Sequence, residues 1–468
     1  MNKIKLRPSF FFIISMLFCL PIALANIYFR DDLSRADYYF VNLKTIGRPI
    51  ADILHDILTA FNSGADLSPL TLIISSIFLA TSSFVLFKKF SYEKSFLWAS
   101  PFLFIICNPF ILQGLSYKYD SISISASVLF AIMPFAFNAE SKLKRSMLAI
   151  SFFYLAIGSY QASVNVIIAT TCFVVITEIL NQKQCKNILL YISSKIVELS
   201  ASLFLYFLTI SFLFPHTKSR SSIASIDGIA RAINKFYNDL ISLFHGWQIF
   251  YIIFIFAVCL STLLLNHKKY GIIKISFIIS LLAVQVMSIG GISIILAEGL
   301  VGYRTYLSFG IFMMSMSYIA IFHYKQSRIL SAVACYLLLI YFISLSFAYG
   351  NILSSQRKYE QMIVDAVYEN LSNSNVKNKK VYVSGKISTS HMTKTLYKLN
   401  DILINMNPIE PWTGRFMLHN LGLNVNWTWS SVDETAIKIS NDSNSSIIKD
   451  NDDFIIYNNK EVFSVLFK

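Results

Sequence analysis

The chain has 468 residues, 55% of them hydrophobic, 15% aromatic and only 14% charged, with a formal net charge of +14. A soluble globular protein carries about 25% charged residues, so the composition excludes an ordinary water-soluble enzyme and implies a chain solvated mainly by lipid. The positive charge would suit a nucleic-acid binder, but 17 of the 40 Lys and Arg residues fall in six short loops between apolar runs: Lys3, Lys5, Arg7; Lys88, Lys89, Lys94; Lys142, Lys144, Arg145; Lys183, Lys186, Lys195; Lys268, Lys269, Lys274; and Lys325, Arg328. That is the positive-inside pattern of a membrane protein, and no nucleic-acid partner is expected.

A membrane-crossing helix needs about 20 apolar residues. In chain order such runs lie near 9–27, 69–87, 96–114, 120–138, 147–160, 162–180, 196–214, 248–265, 272–296, 305–322 and 329–349. The first looks like a signal peptide, yet more apolar runs follow and no small-x-small cleavage site precedes a soluble domain, so it is read as an uncleaved span. Eleven spans put the N-terminus in the cytoplasm and the C-terminus outside, with every basic loop on the inner side. The pair 147–160 and 162–180 meets at Ser159-Tyr160-Gln161. Basic residues on both sides of that pair require two crossings or a re-entrant hairpin rather than one long helix.

Three outer segments are more than turns. Residues 28–68 carry Arg30-Asp31-Asp32, Arg35 and Gly47-Arg48-Pro49. From Pro49 onward Ile50, Ile53, Leu54, Ile57, Leu58 and Phe61 share one helical face, with Asp52, His55, Asp56 and Thr59 on the other. This is an amphipathic helix too short to span, expected at the membrane interface. In 215–247, Ile226, Ile229, Ile233, Phe236, Tyr237, Leu240 and Phe244 again form one face, with Ser225 as N-cap. The tail changes character: a helix over 351–372, Lys380-Val-Tyr-Val-Ser-Gly385 as a strand ending in a turn, then Phe454–Tyr457 and Val462–Leu466 as a hairpin around Asn458-Asn459. The fold class is therefore an all-α polytopic membrane protein of about 11 transmembrane helices. Residues 1–349 form the transmembrane catalytic domain, with outer loops 28–68 and 215–247, and 350–468 form a small C-terminal α/β domain outside the membrane.

Chemistry-bearing residues concentrate in the outer loops. Asp31 and Asp32 are adjacent carboxylates following a span, and an acid at the water–lipid boundary is a usable general base. Asp32, farther from the helix end, is expected to reach farther. Arg30, Arg35 and Arg48 flank the pair, and arginine grips phosphate through a charge-assisted fork; for Arg30, simple snorkelling to the headgroups is the preferred reading. The short loop Gln113–Asp120 brings Tyr117, Lys118, Tyr119 and Asp120 to the membrane surface, where Lys118 and Asp120 could equally be a mutual ion pair capping two helices. Arg304, in Glu298-Gly-Leu-Val-Gly302-Tyr303-Arg304, runs against the positive-inside bias, which an anionic ligand or a partner in Glu298 or Asp120 would explain. Asp450-Asn451-Asp452 matches a D-x-D pattern but sits in a polar tail where such matches are commonplace. No zinc pattern and no Gly-rich phosphate loop occurs, so no cofactor is expected; the acids could hold a divalent ion, but nothing requires one. The six cysteines fall in spans or inner loops, where disulfides are not expected.

The order of these features resembles the GtrII-type bacterial O-antigen glucosyltransferases, the serotype-converting family. The resemblance rests on Asp31-Asp32, Gly47-Arg48-Pro49, Asn108-Pro109-Phe110, Leu115-Ser-Tyr-Lys-Tyr-Asp120, Tyr160-Gln161-Ala162-Ser163, Gly302-Tyr303-Arg304 and the tail markers Tyr349-Gly-Asn and Val381-Tyr-Val-Ser-Gly385. It implies a GT-C-like enzyme of the inner membrane that moves glucose from undecaprenyl-phosphate-glucose to an O-antigen sugar at the periplasmic face, with a companion flippase and a lipid-glucose synthase. In that reading Asp31 or Asp32 is the base, Arg304, Arg48 and Lys118 hold the donor phosphate, and Arg35, Tyr119 and Asp120 belong to the surrounding acceptor and donor loops. A lipid-linked-sugar flippase is the rival, though matched repeats with broken helices are absent. Other outer-face envelope enzymes are a second rival, and a receptor role for the tail a third.

Overall fold

The computed structural model describes residues 6–62, 64–137, 141–213, 224–244, 246–295, 301–323, 327–374, 379–426, 428, 430, 432–459 and 462–468. Glu298 and the start of the 215–247 loop lie outside these. In chain order the helices are α1 (Pro8–Ala25), α2 (Asp31–Asp37), α3 (Pro49–Leu58), α4 (Leu70–Phe90), α5 (Phe96–Leu103), α6 (Ile111–Leu115), α7 (Ser121–Ala136), α8 (Lys142–Ser159), α9 (Ser163–Leu180) and α10 (Cys185–Leu213). They continue with α11 (Ile226–Leu243), α12 (Gln248–Leu265), α13 (His267–Tyr270), α14 (Ile272–Gly290), α15 (Phe309–His323), α16 (Arg328–Ser372), α17 (His391–Tyr397), α18 (Ile402–Met406), α19 (Thr413–Asn420) and α20 (Glu434–Ser440). The strands are β1 (Lys380–Ser384), β2 (Ser446–Asp450), β3 (Phe454–Asn459) and β4 (Val462–Phe467).

The chain divides into two compact units. One comprises residues 1–23, 42–63 and 67–347, the other 24–41, 64–66 and 348–468. In the larger unit each of the eleven apolar runs contains helix. Among the described residues seven helices are long and apolar enough to cross a membrane (α1, α4, α9, α10, α12, α14 with the turn after it, and α16), and two apolar helices are shorter, over Ser121–Ala136 and Phe309–Ile321. This is the make-up of a membrane protein. The break at Tyr160-Gln161-Ala162 separates α8 from α9.

Helix α7 packs on α4, α8 and α9, and α9 packs in turn on α14. Small buried residues permit this. Ser121, Ser123, Ser125, Ala126 and Ser127 of α7 and Ser75, Ser76, Ala80, Ser82 and Ser83 of α4 are all buried, so backbones can approach closely. Several of their hydroxyls donate to carbonyls of their own helix, as in Ser125 to Ser121 O at 2.9 Å and Ser127 to Ile124 O at 2.7 Å, while Ser83 donates across to Phe102 O at 2.7 Å.

Two of the expected spans differ. The run 96–114 is interrupted: α5 ends at Leu103 and α6 begins at Ile111. Asn108-Pro109 cannot continue a helix. The Asn108 side chain donates to the carbonyls of Tyr306 and Leu307, both at 3.2 Å, so one irregular stretch satisfies another inside the protein. Helix α10 starts at Cys185, not near residue 196, because Lys195 is buried and paired with Glu198 one turn on, at 2.6 Å. A hydropathy reading excludes such a lysine.

The smaller unit holds a four-stranded sheet in the order β1-β4-β3-β2. β1 runs parallel to β4, and the β4–β3 and β3–β2 pairs are antiparallel. The β3–β4 hairpin and β1 stand where the sequence puts them, although Asn458 and Asn459 extend β3 instead of forming the turn. The helix expected over 351–372 is the continuation of α16, with no break after residue 349. β2 was not foreseen. One sheet face, with Val381, Val383, Phe454, Ile456, Phe463 and Val465, joins Ile363, Val364, Val367, Phe416, Leu418 and Leu33 in a single core. Each such side chain contributes about 2 kcal/mol through burial. Arg415, 1% exposed, lies beside this core and donates to the carbonyls of Val383, Thr428 and Ser430 at 2.8, 2.5 and 2.6 Å. Asp450-Asn451-Asp452 is the β2–β3 turn: Asn451 Oδ1 accepts from the backbone of Asp453 and Phe454, and Lys468 pairs with Asp450 at 2.7 Å. That role accounts for the D-x-D match.

Gly385 ends β1 at φ 85°, and a Cβ there would stand 2.1 Å from the Phe467 carbonyl oxygen. Gly385→Ala should therefore destabilise the smaller unit by on the order of 3 kcal/mol, read as a lowered midpoint in thermal unfolding of the detergent-solubilised protein.

Candidate functional site

The motif residues assemble into two clusters in the larger unit and one in the smaller. The first is built on Gly47-Arg48-Pro49. Gly47 has φ 78°, and a Cβ on it would meet Gln161 Nε2 at 2.8 Å. Its carbonyl accepts from Gln161 Nε2 and Tyr206 Oη, both at 2.8 Å. Pro49 opens α3 as its first residue. Arg48, only 7% exposed, donates to Asp120 Oδ1 at 2.8 Å and to Gln161 Oε1 at 3.4 Å, and its guanidinium lies 4.5 Å from the Tyr160 ring centroid. Asp120 is itself 1% exposed. Asp120 is thus a partner of Arg48, because the buried guanidinium needs a buried carboxylate.

The amphipathic helix α3 turns its faces the opposite way from a soluble helix. Ile53 and Ile57, with Phe61 just beyond the helix, are exposed (52%, 63% and 80%), whereas Ala51, Asp52 and Thr59 are buried. Asp52 accepts from the backbone N–H of Leu43 at 2.8 Å. Tyr119 is buried with its ring 5.8 Å from that of His55.

The second cluster joins Phe110, Gln113 and Tyr117 to Tyr303, Arg304 and Tyr306. Phe110 stacks on Tyr303 at 5.4 Å and meets Tyr306 edge-on at 5.3 Å. Gln113 Oε1 accepts from the Arg304 backbone N–H at 3.2 Å, and the Arg304 guanidinium lies 5.0 Å from the centre of the Tyr117 ring. Lys118, two residues before Asp120, is partly exposed. Helix α11, capped by Ser225 accepting from Gly228 N–H, adds Asp239 and Ser242. Asp239 accepts from Tyr306 Oη at 2.8 Å, and Ser242 shares a 3.0 Å hydrogen bond with Tyr303 Oη. Burial raises the Asp239 carboxyl pKa, while hydrogen bonds from Tyr306 and Tyr303 and the charge of Lys235 oppose that. Sequence reading missed Asp239; its signal was an acid facing inward four residues beyond Lys235.

The third cluster surrounds Asp31 and Asp32 in the smaller unit. Both open α2, where the helix end favours acids. Asp32 is fully buried with Arg35 Nη1 3.4 Å away, while Asp31 is partly exposed. This corrects the expectation that Asp32 reaches farther: its carboxylate is turned inward and Asp31 is the more accessible acid. Arg30 does not snorkel but pairs with Glu410 at 2.5 Å. Burial raises the Glu410 pKa, Arg30 lowers it and Asp31 raises it again. Arg357 donates to Tyr28 O at 2.7 Å, and Asp37 meets His419 at 2.7 Å. Arg30, Arg357, Glu360 and Glu410 line one small cleft. Glu410, between Pro408 and Pro411, was overlooked because proline-flanked acids in tails are ordinarily solvated. Among the described residues no three His, Cys, Asp or Glu side chains gather as a metal-binding group.

A profile of the family described as "Glucosyl transferase GtrII" matches residues 20–322. Among curated proteins the chain is similar to an uncharacterized 55.3 kDa protein in the gtrB 5' region of Salmonella phage P22, 25% identical over 260 residues, which are 53% of each chain. The chain therefore spans about half the length of that relative. No solved structure gives a significant match.

Two measurements follow. Asp120→Asn or Arg48→Gln alone should cost about 3–5 kcal/mol by stranding a buried charge, and the double replacement Arg48→Met with Asp120→Leu should cost much less than the sum; unfolding midpoints of the four proteins decide this. Asp239, with its folded-state pKa raised, binds its proton more tightly folded than unfolded. Stability should therefore fall as pH rises from the ordinary carboxylate range through the raised folded value. Asp239→Asn should remove that part of the pH dependence in a series of thermal melts.

Proposed function

The chain belongs to the GtrII family of glucosyl transferases, and on that premise we propose that it moves glucose from undecaprenyl-phosphate-glucose to a sugar of the lipopolysaccharide O-antigen. The observation that carries this reading is the family match over residues 20–322, which takes in Asp31, Asp32, Arg48, Lys118, Asp120 and Arg304. We place the reaction at the periplasmic face of the bacterial inner membrane, the side on which eleven crossings would put these residues, and where lipid-linked sugars are the donors at hand. A flippase and a lipid-glucose synthase would supply the donor. The chain would then be a GT-C-like enzyme that requires no cofactor.

In this proposal the acceptor hydroxyl loses its proton to a carboxylate as its oxygen bonds to the anomeric carbon. The bond from that carbon to the phosphate oxygen breaks, and undecaprenyl phosphate leaves. One displacement inverts the anomeric centre. Asp31 is assigned the proton on the strength of its exposure; Asp32, buried against Arg35, is assigned to holding α2 in place. Arg304 and Lys118 are assigned to the donor phosphate, where fixed cations stabilise the charge that develops on the leaving group. Arg48 is assigned to bracing the loop through Asp120. Arg35 and Tyr119 are positioning residues, acting through Asp32 and α3. The outward apolar face of α3 suits a helix lying in lipid beside the donor's polyprenyl chain.

Cells supplied with undecaprenyl-phosphate-glucose should add one hexose per modified O-antigen unit, seen by mass and linkage analysis; no added hexose would sink the transferase reading. Asp31→Asn should lower activity by about 10²–10⁴-fold, the usual worth of a general base, with an unchanged unfolding midpoint. Asp32→Asn should instead lower the midpoint. Full activity in Asp31→Asn would remove it from the base role.

A further inference from the structure

A cavity in the larger unit is lined by residues of α4, α7, α8, α9, α10 and their links, none of which belongs to the clusters described above. It measures about 740 Å³ and has an apolar wall that includes Pro134, Phe135, Phe137, Val174 and Leu190. Basic side chains ring it: Lys89, Lys142, Arg145 and Lys183 all line the cavity and are all exposed. At its floor Lys195 is buried, paired with Glu198 at 2.6 Å and set 5.4 Å from the centroids of the Phe135 and Tyr191 rings. Glu198 also accepts from Ser146 Oγ at 2.9 Å. The second lining carboxylate, Glu178, pairs with Lys183.

Among the described lining residues, five cations therefore stand with two carboxylates, Glu178 and Glu198, so the lining is net positive. The positive-inside rule accounts for basic residues in these loops. It does not account for their convergence from α4, α8, the α9–α10 link and α10 on one cavity, nor for a buried Lys–Glu pair among its lining residues. A cavity with cations at the mouth and hydrocarbon along one wall matches an amphiphile whose head is anionic and whose tail is apolar. We propose that this cavity binds the phosphate headgroup of an anionic membrane lipid. Lys89, Lys142 and Arg145 contact the phosphate, the Lys195–Glu198 pair fixes the floor, and the acyl chains lie along Phe135, Phe137 and Leu190. The site is separate from the proposed transfer chemistry and does not rest on it.

Native mass spectrometry of the full chain in detergent tests this. Phosphatidylglycerol and phosphatidylethanolamine are titrated against the wild type and two triple variants. Lys89→Gln/Lys142→Gln/Arg145→Gln strips the cavity mouth. Lys88→Gln/Lys144→Gln/Lys186→Gln removes the same charge from exposed positions of the same segments that do not line it. The wild type and the second variant should retain one phosphatidylglycerol at least tenfold more tightly than phosphatidylethanolamine, and the first variant should lose that preference. Equal retention by all three proteins, or equal loss in both variants, would overturn the proposal. A repeat with 10 mM inorganic phosphate separates the sources of the phosphate group. Undiminished lipid binding supports a site built for the lipid, whereas displacement of the lipid overturns the role given to the apolar wall.

Discussion

A guanidinium buried among hydrocarbon must have a carboxylate, and in this protein the Arg48–Asp120 pair at 2.8 Å meets that demand. Much of the larger unit's loop geometry depends on it. The pair ties the Gly47-Arg48-Pro49 turn to the loop that carries Tyr117, Lys118 and Tyr119. Gln161 and Tyr206 close the arrangement from the α8–α9 break and from α10, both through the Gly47 carbonyl. Removing one partner leaves a stranded charge, which is far costlier than never having had the pair. Four segments distant in sequence are thereby held in register by a few polar contacts, while the rest of the unit is packed by non-directional apolar and small-residue surfaces.

The same logic separates what was legible in the sequence from what was not. Apolar run length and turn chemistry are local, so the helix positions, the Pro49 helix start, the Ser225 cap and the β1 and β3–β4 strands could all be read directly. Partner choice is not local. Asp120 pairs with Arg48 across 72 positions, a partner that no local pattern names. Asp32 looked like the acid with the longer reach, but Leu33 beside it belongs to the core of the smaller unit, which turns this segment inward. The early start of α10 was hidden because Lys195 counts as polar in any hydropathy window until its Glu198 partner and aromatic surroundings are known. The interruption at Asn108-Pro109 was legible in principle, since proline after asparagine disfavours helix. What could not be read was that the carbonyls of Tyr306 and Leu307 would take up the asparagine amide.

The basic loops show the limit of a counting rule. Counting signs gives an expected topology, because the rule responds only to which loops hold charge. It is blind to whether those charges stand apart in water or converge on a cavity. Lys89, Lys142, Arg145, Lys183 and Lys195 satisfy the rule wherever they point, so their convergence is separate information that only the packing of α7 to α10 supplies.

The placement of Asp31 has a consequence for how such a protein can vary. The side chains that fix its surroundings within the smaller unit, Glu410 on Arg30, His419 on Asp37 and Arg357 on the Tyr28 carbonyl, all come from the tail. The family match ends at residue 322. The acid therefore lies within the matched region while its immediate supports lie beyond it. A change in the tail can shift the position of Asp31, or its electrostatic setting through Glu410, without touching any family motif. On the proposed assignment of Asp31 as the base, that is a physical route by which a change in the tail would alter the transfer while the matched region stays the same.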